Sequence, residues 1–326
     1  MGEVAMERLV VAVLTYRRPE RIAVLVPLLV EQAADLARRV EGVDVSVLVV
    51  DNDAAGTGLA AVDGLTGPVR PGAGPACPVT VVIEPEPGIS AARNRALHAS
   101  SDQDLLVFVD DDEVPHPGWL ATLYATYRAT GADAVAGAVV SRYATEPEPW
   151  VVAGGFYDRA HRRGLPTGST IPVAATNNLL LDLRVVRRTG TAFDPALGLS
   201  GGEDTHFTSA LTRAGGRIVW CAEAVVSDVV PADRLTRSYL LARSAGLANA
   251  SARVALMLTP GRGRRAALRA RTLAVGVARG MLGSLQVAQA VVRGDVAGDA
   301  RGRRALARAR GELLAACGRV MLPYAR

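Results

Sequence analysis

Apolar runs and amphipathic stretches alternate along the first 250 or so residues. LVVAVLTY (9–16) is apolar almost to its end, a stretch from about Pro19 to Val40 repeats its apolar residues at helical spacing, and VSVLVVDND (45–53) is apolar again. Continuous apolar strands are those covered on both faces, and strand–helix–strand alternation predicts βαβ units around a largely parallel sheet. A Gly/Pro-rich connection (54–78) leads to the strand VTVVIEPEP. A helix from about Ile89 to Ser100, the strand DLLVFVD (104–110), a helix opening near Pro117 and the strand ADAVAGAVVSRY (133–143) follow. Proline at a first helical turn is well placed. After a loop with Pro and Gly (144–170), IPVAATNNLLLDL reads as one strand, with a helix beginning near Leu183. GGEDTHFTSALTRAGG reads as a turn and a helix stopped by Gly215 and Gly216, where a left-handed residue is cheap. RIVWCAEAVVSDVV is a further strand, and RLTRSYLLARSAGLANAS opens a helical, Arg-rich remainder. The pattern predicts an α/β domain over 1–255 and a basic helical extension over 256–326. No internal repeat is present.

The strand at 104–110 runs straight into four carboxylates, Asp110, Asp111, Asp112 and Glu113. Packed carboxylates raise one another's pKa and have to be solvated, paired or neutralised by a cation. In an open α/β sheet, ligands bind beyond the carboxyl ends of the strands, and Thr15, Asp51, Glu84 and Asp110 all stand at such ends. Each taken singly could instead cap a following helix. LTYRRPE occupies the place where a dinucleotide fold wants G-x-G-x-x-G, and a P-loop is missing, so nicotinamide chemistry is disfavoured. The turn carries arginines in place of glycines, which points to phosphates held by side chains and a metal ion. Oxygen ligands in a carboxylate cluster suit Mg2+ or Mn2+, which pair one or two carboxylates with substrate phosphates.

A second acidic site, Glu203-Asp204, follows two glycines that let a backbone approach a substrate closely. The alternative is a helix N-terminus, where acids offset the macrodipole. If Asp204 and His206 both lie on the helix they point about 200° apart, so a shared site requires the helix to start between them. His116 reads as a turn residue and Trp119 as core. Asn177 and Asn178 either line a pocket or form a strand-end turn.

Composition narrows the setting. With 326 residues, 49% of them hydrophobic, the chain can bury a large core. Cys77, Cys221 and Cys317 lie far apart without a C-x-x-C pair, so the spacing suggests neither a disulfide framework nor a zinc site and fits a reducing cytoplasm. The opening MGEVAMERLVVAVLTY has acids before its apolar run and no small-residue cleavage site, so no secretory signal is expected. The net charge of +5 is local: fourteen arginines against three acids put residues 260–326 at +11, leaving the rest at −6. The tail lacks interleaved aromatics for base stacking, so no nucleic acid is expected, and an anionic membrane surface suits it better. TLAVGVARGMLGSLQVAQAVV (272–292) has the length of a spanning helix, but Arg279, Gln286 and Gln289 interrupt it. Burying Arg279 at mid-membrane costs about 2.5 kcal/mol or more. The segment reads as a surface-lying amphipathic helix or as helices packed on the catalytic domain or a second subunit.

Five motifs in order, LTYRRPE, VVDND, EPEPGISAARNRAL, FVDDDEVPHPGWL and GGEDTHF, resemble the family 2 glycosyltransferases, and within them the succinoglycan-biosynthesis subgroup, over roughly residues 8–250. The resemblance implies the nucleotide-diphospho-sugar transferase (GT-A) fold, a mixed, mostly parallel sheet flanked by helices, with a nucleotide-sugar half to about residue 130 and an acceptor half over 131–255. It places Thr15 and Asp51 at the nucleobase, Arg17 where the donor pocket begins, and Arg93 and Asn94 near the nucleotide and its phosphates. Asp112 becomes the direct metal ligand, with Asp110 beside it facing ribose or sugar. Asp111 joins the donor-binding set by orienting its neighbours, and Glu113 is structural. Asp204 is the implied general base, next to Glu203, and His206 matches a third metal ligand found in some enzymes of this fold. The implied reaction is an inverting, Mn2+- or Mg2+-dependent transfer from a nucleotide-diphosphate sugar, UDP-linked, to a hydroxyl acceptor. That acceptor is a lipid-linked or polysaccharide intermediate, or alternatively a small secondary metabolite. The expected setting is the cytoplasm or the inner face of the plasma membrane, with a homodimer left open. Two rivals are a sugar-phosphate nucleotidyltransferase, which would carry a glycine-rich loop with a lysine after the first strand, and a non-catalytic nucleotide-sugar binder. The chain has neither that loop nor any lysine, and the intact Asp-x-Asp and Glu-Asp pairs argue for activity.

Overall fold

The computed structural model describes residues 6–62, 77–159, 162 and 164–322. The chain start at 1–5 and residues 63–76 of the predicted connection lie outside the described residues. The first part of the chain forms β1 (Glu7–Thr15), α1 (Pro19–Arg39), β2 (Val43–Asp51), β3 (Val79–Ile83), α2 (Ile89–Ala99) and β4 (Leu105–Asp110). β1 lies between β2 and β4, β3 lies outside β2, and all three pairings are parallel. Successive β1 side chains alternate between two layers. Leu9, Val11 and Val13 pack with Ile22, Leu25 and Leu29 of α1, while Val10, Ala12 and Leu14 pack with Ala92 and Ala96 of α2. Burial on both faces is why the strand has no polar position from Leu9 to Leu14.

Then come β5 (Glu113–Pro115), α3 (Trp119–Thr130), β6 (Ala134–Tyr143), α4 (Pro149–Gly154), β7 (Thr170–Ile171), β8 (Asn178–Asp182), α5 (Leu183–Thr189), α6 (Glu203–Arg213) and β9 (Ile218–Val230). The sheet runs β3-β2-β1-β4-β8-β6-β9-β5, with β7 on β9. The sheet is mixed, as the resemblance implies: its pairings are parallel from β3 to β4, and beyond β4 the pairs β4–β8, β6–β8, β5–β9 and β7–β9 are antiparallel. The segment IPVAATNNLLLDL is not one strand. Thr208 Oγ1 accepts from the Ala174 amide at 3.2 Å and donates to the Ala174 carbonyl at 2.9 Å. Pro172 has no N–H to give a ladder, so the chain breaks into β7 and β8.

Two compact units emerge: Met1–Val140, Arg162–Gly198 and Phe207–Asp228 form one, and Ser141–His161, Leu199–His206 and Val229–Arg326 the other. The second holds α7 (Arg237–Met257), α8 (Arg262–Arg293) and α9 (Val296–Ala316). The predicted limit at 255/256 falls in the last turn of α7, and α9 packs on α7, α8 and α4. Trp150 and Phe156 stack at this unit's core, the Trp150 indole donates to Asp299 at 2.8 Å, and Asn249 of α7 donates to the Gly311 carbonyl at 3.1 Å. The C-terminal helices are therefore tied into the second unit by buried polar contacts.

Candidate active site

The register of the first unit aligns the strand ends. Thr15 pairs with Asp51, Leu14 with Asp110, and Asp51 with Ile83, so four parallel strands finish in one row. Thr15 and Asp51 are buried there. Asp51 accepts from the Gly58 amide at 2.6 Å and the Asp53 amide at 3.1 Å, which hangs the loop after β2 from its carboxylate. Asn52, passed over in the sequence although it stands inside VVDND, clamps the neighbouring loop. Its amide donates to the Glu84 and Glu86 carbonyls at 2.9 and 2.7 Å and accepts from the Gly88 amide at 3.0 Å. Asp53 accepts from Arg17, Thr57 and the Ala55 amide. Burial raises its pKa, but those hydrogen bonds outweigh it and hold the carboxyl below its ordinary value. Arg17 has φ 54°, the positive value among described non-glycine residues, a strained conformation of the kind found at functional sites. Its guanidinium lies 4.9 Å from the Tyr16 ring centroid, and its Nε 3.3 Å from Asp53.

The acidic cluster splits across the turn that joins β4 to β5. Asp111 turns inward, with Arg18 at 2.8 Å and Thr15 Oγ1 donating at 3.1 Å. Burial pushes its carboxyl up, Arg18 pulls it back, and Asp112 adds to the rise. Asp110 keeps 38% of its side chain exposed and Asp112 17%. Arg93 stands 3.8 Å from Asp110, and Arg18 and Arg21 each stand 3.9 Å from Asp112. Buried Glu113 opens β5, accepts from the Asp110 amide at 3.3 Å and receives the Asn177 amide, which fixes the turn after β4.

Several polar residues are held by the scaffold. Asn94 donates to the Phe193 carbonyl at 2.8 Å and accepts from the Phe193 amide at 2.9 Å. Both ends of its side chain thus fasten the Phe193 segment. Arg93, on the same helix, is buried, and its guanidinium carbon lies 5.5 Å from the Phe193 ring centroid. Asn178 receives the Trp119 indole at 2.9 Å and donates to Ala138 and Ala224 carbonyls, so it belongs to the core. His116 bonds Ser227 at 2.8 Å and stays a turn residue.

No group of three or more His, Cys, Asp or Glu side chains forms a ready metal cage among the described residues. The outward pair Asp110 and Asp112 nevertheless fits Mg2+ or Mn2+, ions that take one or two carboxylates and complete their shell with phosphates and water.

In the second unit, Glu203 is buried, and Asp204 accepts from the Thr205 amide at 2.6 Å in the first turn of α6. The two preceding glycines have φ 77° and 93°. A Cβ on Gly202 would meet Val254 at 3.1 Å and Ala250 at 3.3 Å on α7. Turn conformation and packing against α7 therefore account for this pair, and close substrate approach is not needed to explain it. Because α6 begins at Glu203, Asp204 and His206 both lie on it and leave it about 200° apart. The condition for a site shared by these two is not met, and His206 Nδ1 is buried without a hydrogen-bond partner among the described residues.

The family model described as Glycosyl transferase family 2 matches residues 10–178. The succinoglycan biosynthesis protein ExoM of Rhizobium meliloti is 35% identical over 243 residues, 72% of this chain and 70% of that protein. Glycosyltransferase AglE of Haloferax volcanii is 32% identical over 146 residues, 44% of this chain and 46% of its own. Among solved structures, S. aureus TarS 1-349 in complex with UDP-GlcNAc superposes with a TM-score of 0.51 at 16% identity, covering 96% of this chain and 92% of that one. Its complex with UDP gives 0.50 at 14% identity, covering 91% and 89%. These neighbours share the GT-A fold seen here, and sequence and fold agree that this chain belongs to the family 2 glycosyltransferases.

Proposed function

We propose that the enzyme transfers a sugar, with inversion, from a UDP-linked donor to a hydroxyl acceptor with the aid of Mn2+ or Mg2+. The observation that supports this best is the split cluster, with Asp111 turned in onto Arg18 and Thr15 while Asp110 and Asp112 face outward among Arg18, Arg21 and Arg93. A diphosphate carries charge that needs cations, and guanidinium forks suit its oxygens. Asp112, with Asp110, would hold the divalent ion, whose chemistry is to offset charge on the departing diphosphate. Thr15 and Asp51 would meet the nucleobase, an aspartate accepting from a ring N–H. Asp51 now holds the Gly58 amide at 2.6 Å, so a base bound there takes that acceptor over from the loop. Asp204 is the general base, taking the acceptor hydroxyl's proton as that oxygen attacks the anomeric carbon. The UDP and UDP-GlcNAc complexes of the TarS neighbour favour a uridine donor, and the ExoM relative favours a lipid-linked or polysaccharide acceptor.

A second reading has its own observation. Arg18 and Arg21, each 3.9 Å from Asp112, could neutralise the diphosphate without a metal. Release of nucleotide diphosphate from UDP-, GDP- and dTDP-sugars, with Mn2+, Mg2+ or EDTA, tests both. Release from UDP-sugars that EDTA abolishes and Mn2+ restores is expected. Full activity in EDTA selects the arginine reading, and a preference for GDP or dTDP donors overturns the uridine assignment.

A further inference from the structure

α8 has two unlike faces. Gly276, Gly283 and Ala290, one every seven residues, are buried, the glycines lying against Leu313, Leu306 and Gly302 of α9. Arg279, which interrupts the apolar sequence, lies on this inner side and pairs with Glu312 of α9 at 3.0 Å. The opposite face carries Val277, Met281, Leu285, Ala288 and Val292, which fall within an arc of about 80° at 100° per residue. Met281 is 70% exposed and Val292 87%. No charged residue lies within this arc, and the strip runs for about 22 Å at 1.5 Å per residue. The helix contains seven arginines and no acid, with five of the arginines crowded into residues 262–271 and Arg293 at the far end.

We propose that this face docks in the plane of an anionic lipid surface, Val277 through Val292 sinking into the headgroup–acyl boundary and the arginines engaging the headgroups. A bare apolar strip with basic ends has the character of an interfacial helix, and basic residues near an anionic surface each add attraction. α8 has the length and composition to span a membrane. Spanning, however, would part Arg279 from Glu312 and open the seam to α9, a helix packed on α7 and α4. A second copy of the chain is a poor occupant, because antiparallel pairing that matches Val277 to Val292 leaves Arg271 only about 8 Å along the axis from the other copy's Arg293, like charge beside like charge at both ends of the strip. The inference does not rest on the catalytic assignments.

The test uses the full chain and sedimentation with phosphatidylcholine vesicles, with and without phosphatidylglycerol. The wild type should partition onto the anionic vesicles alone. M281E/L285E should partition on the order of tenfold less or weaker still, with unchanged thermal unfolding because both side chains are exposed. R264Q/R265Q/R269Q should lose the preference for anionic lipid. Equal binding by M281E/L285E and wild type, or by neutral and anionic vesicles, overturns the proposal. So does retention through an alkaline carbonate wash, which would mark a spanning helix. A fall in solution mass on introducing M281E/L285E, measured by light scattering, would assign the face to a second copy and overturn it as well.

Discussion

Acids gather at two places, Asp110–Asp112 after β4 and Glu203–Asp204 at the start of α6, and their supports are of opposite kinds. The first group is held by charge: Arg18, Arg21 and Arg93 surround it, and Thr15 ties its middle member. The second is held by backbone: two positive-φ glycines turn the chain, and Gly202 seats it against α7. The first arrangement answers to substitutions that change charge and the second to substitutions that change shape. An acid at either place can do chemistry, but its dependence on its surroundings differs.

The sharpest break is Asp204→Asn, which keeps the shape and removes the base. Turnover should fall by about 10²–10⁴-fold while donor binding by calorimetry stays the same, and unchanged turnover would remove Asp204 from the role. Asp112→Asn comes next. Sugar transfer should drop on the order of a hundredfold, since charge stabilisation by a metal is worth several kcal/mol, with a higher Mn2+ concentration for half-activation and partial recovery in excess Mn2+. An unaltered Mn2+ response would detach Asp112 from the ion.

Gly202→Ala probes the backbone support. A left-handed alanine crowded by Val254 should destabilise by about 2 kcal/mol, read as a lower denaturation midpoint, whereas an unchanged midpoint would mean the turn adapts. The smallest effect belongs to Arg18→Gln, about 1 kcal/mol because Arg18 is partly exposed, and its signature is pH dependence. The Asp111 carboxyl is raised above its unfolded value of 3.8, so the folded state holds the proton longer. Stability contributed by the protonated form is full below that value and declines as pH rises through the folded value. Removing Arg18, which pulls Asp111 down, should move that decline to higher pH in unfolding curves, and an identical pH profile would show that the pair is not coupled.

The parallel half was legible because β1, β2 and β4 are apolar on both faces and their ends carry the conspicuous polar residues. The split of Asp111 from Asp110 and Asp112 was less legible, because β4 ends at Asp110 and the next two acids lie in the turn before β5. What stayed hidden depends on partners distant in sequence. Asn94 is taken up by Phe193, 99 positions away, and Thr208 captures Ala174 and splits the predicted strand. Asn52 resembles any loop asparagine until the Glu84–Gly88 segment lies beside it. The glycines before Glu203 announced a turn, but only α7 in place gives the second reason for Gly202. Motifs reveal which groups collect at a strand end, whereas their hydrogen-bond partners depend on long-range packing.

The glycine seam between α8 and α9 limits how this hairpin can be remodelled. A methyl at Gly276 would meet Leu313 at 3.0 Å, one at Gly283 the Gly302 carbonyl at 2.9 Å, and one at Gly302 Val287 at 2.8 Å. The hairpin can therefore be extended or trimmed at its outer ends far more readily than resurfaced along its middle. Anyone transplanting the exposed strip of α8 onto another scaffold would have to move α9 along with it.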